Sequence, residues 1–351
     1  MSRSKLFFLF SLLTTHSLFS QIGGSTAYAF LNLPFSARES AAGGNLITVK
    51  DDDINLTFHN PSLITPAMDN NLAYSNVRYI ADISYGYAAY SKSFSNIGNF
   101  VAGIQYVDYG KFTEADPTGA ITGNFTAADY SFNIGYSRQL DSMFSVGATL
   151  KTIYSNLDQY TSIGSSLDIG STYYNPKYLF TASAVIVGLA GYQWKTYSGG
   201  DQEPLPFDIQ LGVSKKVKKA PFRFSLVGQH LQKWDLTYND PADPILTVDP
   251  LTETPIKQKP LNIFGDKLAR HLIGSVEILF GKSFSILLGY NYERRKELQV
   301  VNVGGLEGFS IGGCIRIYKF NMSISYAEYS IAGASTTFSV TSNLSEFYKK
   351  Q

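Results

Sequence analysis

From Asn71 onward the chain is a succession of segments, each about ten residues long, in which apolar positions alternate with small or polar ones. In Tyr130 to Tyr136 the apolar set is Tyr130, Phe132, Ile134 and Tyr136, with Ser131, Asn133 and Gly135 between them. The same period runs through Phe207 to Val213, Phe284 to Tyr292, Phe309 to Ile317 and Phe320 to Tyr326. Side chains alternate across a strand, so each segment is predicted to be a strand with one greasy face. Phe132, Leu211, Ile286 and Ile311 are assigned to that face, and Ser131, Gln210, Ser285 and Cys314 to the other. About fourteen strands follow from Asn71, one of them Leu272 to Phe280, with a short helix predicted over Leu261 to His271 before it.

A soluble sandwich with one wet face would show the same alternation, but its inner face must fill a close-packed core. Here the large residues line one face while Gly, Ser, Asn and Ala dominate the other, which suits lipid outside and a polar lumen inside. Short links at Gln139 to Ser142, Lys216 to Pro221, Gly281 to Ser283 and Tyr318 to Lys319 alternate with long ones. The long ones lie around Tyr109 to Ala127, Gly191 to Pro206, Trp234 to Ile263 and Lys296 to Val303. Bacterial barrels have short periplasmic turns, long outer loops and an even strand count. The predicted fold is therefore all-β: a transmembrane antiparallel β-barrel of about fourteen strands over residues 71–344, closed by a polar tail at 345–351. Residues 21–70, rich in Gly, Ala and Asn, are predicted to fold into the lumen as a plug. Arg3 and Lys5 ahead of the apolar run Leu6 to Leu13 read as a secretory signal peptide over residues 1–20, which implies the outer membrane of a Gram-negative bacterium. No later run reaches the 18–20 apolar residues of a spanning helix.

Composition supports this picture: aromatic residues make up 14% of the chain and charged residues 16%, against about 25% charged in an ordinary soluble domain. A net charge of +1 gathers no nucleic acid. Cys314 is the only cysteine, so no intrachain disulfide forms. His59, His230 and His271 stand apart, without metal-ligand spacing, and no nucleophile motif survives removal of the first residues. No enzyme activity, cofactor or metal is therefore expected. The acidic triplet Asp51, Asp52 and Asp53 reads as a turn or helix cap, with Ca²⁺ binding the alternative. Lys215, Lys216, Lys218 and Lys219 cluster around a predicted periplasmic turn and read as a solvated basic loop, with contact to lipid phosphates the alternative. Lys151, Asp208, Glu277 and Arg316 are predicted to point into the lumen. Prolines stiffen the loop from Trp234 to Pro260, which reads as a docking surface with Trp234, Tyr238, Pro241 and Pro250 as candidates, or as a merely rigid surface loop.

The segments Ala29 to Gly44, AFLNLPFSARESAAGG, and Asp51 to Ile64, DDDINLTFHNPSLI, resemble the N-terminal hallmark of the PorV/PorQ family, most closely its PorQ branch. FGDKLARH, Phe264 to His271, carries the same resemblance. These are FadL-like barrels of the type IX secretion system. The hallmark positions are Asn32, Leu33, Pro34, Ser36, Ala37, Arg38, Asn60 and Pro61. The resemblance implies a non-enzymatic anchor of a surface attachment complex, docking a PorZ-like protein beside PorU and PorV and working with outer-membrane lipid and lipopolysaccharide. The alternative is a FadL-like importer of hydrophobic small molecules: a kinked strand beside a greasy cavity would favour the importer, and a lumen filled by residues 21–70 the anchor. A buried guanidinium is costly unless paired, so Arg38 is expected to meet a carboxylate on the inner wall, Asp208 or Glu277.

Overall fold

The computed structural model describes residues 26–197, 199–237, 260–281, 283–298, 305–330 and 333–348. The signal-peptide segment and the loop positions Tyr238, Pro241 and Pro250 lie outside them. Fourteen strands close into one antiparallel barrel in which sequence neighbours pair throughout and β1 (Asn71–Arg78) pairs with β14 (Gly333–Asn343). Between them run β2 (Ser84–Phe94), β3 (Gly98–Ala115), β4 (Ile121–Gln139), β5 (Phe144–Leu157), β6 (Tyr160–Asn175) and β7 (Phe180–Lys195). The wall continues with β8 (Asp208–Lys216), β9 (Phe222–Gly228), β10 (Leu272–Phe280), β11 (Phe284–Asn291), β12 (Phe309–Ile317) and β13 (Phe320–Ser330). Closure leaves no unpaired edge, which is the condition for crossing a bilayer with strands.

The faces divide as the alternation requires. Phe132, Leu211 and Ile311 are exposed on the outside and Ile286 is half-buried there, while Ser131, Gln210 and Ser285 are buried inside. Cys314 packs beneath the plug. The wall is uneven. β3 and β4 have 18 and 19 residues, well beyond the roughly 9–11 that span a bilayer, whereas β8 and β9 have 9 and 7. The long outer loop expected at Tyr109 to Ala127 is thus mostly paired strand, leaving only a turn at 116–120. Over the low side lie two helices, α2 (Pro260–Arg270) and α3 (Tyr292–Leu298).

Residues 26–70 fill the lumen, and most are buried. They form one α-helix, α1 (Ala37–Ala41), and several single turns. Glycines on the wall make room for them. A Cβ at Gly289 would lie 2.3 Å from the Ala42 carbonyl carbon, and one at Gly147 2.5 Å from that of Pro61.

Candidate functional site: the plugged lumen

Ser36 opens α1 by accepting from the Glu39 amide and donating to its carboxylate at 2.9 Å, closing the first turn on itself. Ala37 donates its amide to Ser339 on β14 at 2.9 Å. These contacts aim Arg38 across the lumen at the periplasmic end. Its guanidinium meets Glu277 of β10 at 3.0 Å, Asp51 at 2.6 Å and Asp53 at 3.0 Å. Arg223 of β9 binds the same Asp51 and Glu277, at 2.9 and 2.7 Å. Two guanidiniums and three carboxylates thus compensate one another in a place where a lone charge would be strongly destabilising. Of the two acids proposed for Arg38, Glu277 is the partner. Asp208 lies toward the outer end, accepting from the His230 amide at 2.6 Å and from Gln210 at 2.7 Å.

The remaining sequence candidates separate. Asn60 donates to the Ile47 carbonyl at 2.7 Å and to Thr172 at 3.1 Å, and its own carbonyl caps Ser62, so Asn60 and the buried Pro61 tie the plug to β6. Leu33 packs on an apolar cluster, while Asn32 and the buried Pro34 face the outer vestibule. Lys151 is buried in an ion pair with Asp168 at 2.6 Å, a partner the sequence did not single out. Arg316 shares the inward register of Cys314 and lines the periplasmic vestibule at its rim, 53% exposed and paired with Glu346 at 3.4 Å, near the end of β12. Of the acidic triplet, Asp53 caps a turn through the Asn55 amide, while Asp51 pairs with Arg38 and Asp52 accepts from the Thr65 hydroxyl. Among the described residues no group of acidic, His or Cys side chains is arranged to hold a metal. Trp234 lies over Phe264 and His271 at the outer surface.

Two vestibules flank the plug. The periplasmic one encloses about 450 Å³ above the Arg38 network, and the outer one about 260 Å³ lined by Asp208, His230, Glu293 and Glu297. Burial opposes a charged His230 ring, but the hydrogen bond the ring donates to Asp208 and the charges of Asp208, Glu293 and Glu297 outweigh it and push its pKa up to about 9.

The other sector of the lumen is apolar, against the expectation of small or polar inward positions. Tyr85 and Tyr87 of β2 point inward beside Val77, Val107 and Ile153. The plug covers them with Tyr28, Phe30, Phe35 and Phe58. Phe35 stands edge-on to Tyr85 at 5.4 Å and Phe58 lies 4.7 Å from Tyr87.

Next to the start of the plug β7 is kinked. Gly188 has φ +72° and Ala190 φ +51°, and the pairing with β6 slips twice between Ser165 and Ile169. Pairing with β8 stops at Val187 and Asp208. Asp168 accepts the Gly188 amide at 2.9 Å, satisfying a donor released by the kink. Beyond it the segment before β8 takes over: Pro204 accepts the Ala27 amide at 3.0 Å, and Leu205 is buried with Tyr28.

No protein-family model matches the chain, and no curated protein does. Solved structures share its fold. A mutant of TodX, a monoaromatic hydrocarbon channel, superposes over 88% of this chain and 99% of its own at 12% identity and a TM-score of 0.51. The Pseudomonas putida toluene transporter TodX matches over 88% and 96%, at 12% identity and a TM-score of 0.50. A Pseudomonas aeruginosa FadL homologue matches over 91% and 98%, at 9% identity and a TM-score of 0.45. The chain is a closed antiparallel barrel of fourteen strands that shares its fold with TodX.

This comparison corrects the expectation of a type IX attachment scaffold. The filled lumen, which favours an anchor, stands in this chain beside the kinked strand that favours an importer.

Proposed function

We propose that this chain is an outer-membrane channel for small hydrophobic molecules. The observation that carries the reading is the apolar inner wall of Val77, Tyr85, Tyr87, Val107 and Ile153, covered only by plug residues whose first member sits at a strand kink. Apolar cover can be exchanged for an apolar solute at little net cost, because one buried hydrocarbon surface replaces another. The kink supplies a break in the wall where such a solute leaves the lumen without crossing the ionic periplasmic half. The description of TodX as a hydrocarbon channel and toluene transporter agrees with this chemistry.

The test is uptake by cells of a strain lacking its own hydrophobic importers, with and without this chain. Radiolabelled toluene and a long-chain fatty acid probe two sizes of hydrophobic solute, and sucrose probes an open pore. Faster uptake of a hydrophobic solute with unchanged sucrose entry is expected. No acceleration of either, or an equal gain for sucrose, contradicts the reading.

A further inference from the structure

The outside of the barrel carries a feature that solute transport does not use. On the lipid-facing side of β6 to β9 the wall is dented into an apolar groove of about 550 Å³. Its cause lies in the sequence. Ala182 and Ala184 present methyl groups outward, where their paired neighbours Tyr173, Val213 and Leu211 present large side chains, and Leu226 closes the far side.

One end of this groove is strongly basic. Lys215 lies two residues beyond Val213 on the same outward face, so its side chain stands directly at the periplasmic end of the groove. Lys177 and Lys218, from the two adjoining periplasmic turns, converge with it on one ring: their ammonium groups lie 5.7, 5.6 and 5.9 Å from the Tyr178 centroid for Lys177, Lys215 and Lys218 respectively. Lys219 adds a fourth exposed charge. Among the described residues none of these lysines pairs with a carboxylate, although the chain as a whole is nearly neutral. Like charges gathered around a single aromatic ring repel one another, and the ring offsets only part of that.

We infer that this surface binds one anionic phospholipid of the periplasmic leaflet, its phosphate held by Lys177, Lys215 and Lys218 and an acyl chain lying in the groove over Ala182 and Ala184. The geometry meets both demands of such a ligand at the right separation. The headgroup charge sits where the barrel leaves the hydrocarbon, as the tyrosine at the turn marks, and the apolar groove starts one residue pair further in. A second copy of the chain fits less well, because the two lysine clusters would be brought toward each other.

Native mass spectrometry of the full-length barrel in mild detergent reads both lipid retention and oligomeric state. The stripped protein is titrated with phosphatidylglycerol and, separately, with phosphatidylcholine. Wild type is expected to retain one phosphatidylglycerol and to release phosphatidylcholine. Replacing Lys177, Lys215 and Lys218 together by Gln should weaken phosphatidylglycerol retention by roughly tenfold or more, since each lysine near a membrane surface contributes about a kcal/mol. Ala184→Leu fills the groove with a residue that suits the lipid face and the fold, and it should weaken retention while leaving the lysines in place. Equal retention of the two lipids by wild type, unchanged retention in both variants, or a lipid-free dimer would overturn the inference. None of these readings depends on solute uptake.

Discussion

The two halves of the plug are held by opposite chemistry. Residues 26–35 lie on an aromatic wall and are held chiefly by apolar contact, with the Ala27 amide and the Tyr28 hydroxyl as polar fixings. Residues 36–63 also place Phe58 on that wall, but they alone add ion pairs and a set of hydrogen bonds to the barrel, from Ala37, Arg38, Asn60 and Ser62. A hydrophobic solute can replace the first set of contacts and cannot replace the second. Under the proposed channel function, the difference lets one segment both open and stay in place, its first part as the gate and its second part as the anchor that keeps the lumen shut to polar solutes.

Removing the anchor should have the largest effect. Arg38→Ala leaves three carboxylates with Arg223 alone, and breaking a buried charge network costs about 3–5 kcal/mol. Residues 36–63 should lose protease resistance, and sucrose should enter proteoliposomes faster. Phe35→Ala strikes the gate. It empties the contact with Tyr85, a change worth about 3 kcal/mol in a packed core. Hydrophobic uptake should rise while sucrose stays excluded, so equal leakage in the two variants would erase the distinction between the halves. A smaller effect is expected at the outer vestibule. His230 is raised above its ordinary 6.5 to about 9, so its contribution is fully present below pH 6.5 and is lost as pH rises through about 9. Hydrogen exchange around residues 229–232 should speed up between pH 6.5 and 10 beyond the intrinsic rate, and His230→Gln should remove that extra increase.

Much of the barrel was legible from the chain because the period of two is a local property. Phe132 against Ser131 and Leu211 against Gln210 fall on the faces their sizes suggest, and the strand Leu272 to Phe280 has those bounds in the structure. The same size rule fails at β2. In Ser84 to Tyr90 the large residues Tyr85 and Tyr87 face inward and Gly86 and Ala88 outward, so reading large as outward shifts that strand by one residue. Nothing local signals the reversal, because it depends on plug aromatics some thirty to fifty residues earlier in the chain. The Arg38 to Glu277 pair was reachable from the cost of a buried charge, since inward acids are few. Asp168 was missed for another reason: it answers a backbone kink at Gly188 as much as Lys151, and kinks leave little trace in an alternation.

Under the proposed channel function, residues 26–35 must move for solute to pass. The Ala27 amide to Pro204 carbonyl bond, 3.0 Å long, brings the two backbones within reach of a disulfide. Ala27→Cys with Pro204→Cys, in a Cys314→Ser background, would tie the gate to the segment beside the kink. Uptake of radiolabelled toluene or fatty acid should fall to the level of cells without the chain when the pair is oxidised and return when it is reduced. Uptake that is the same in the oxidised and reduced states would contradict the account.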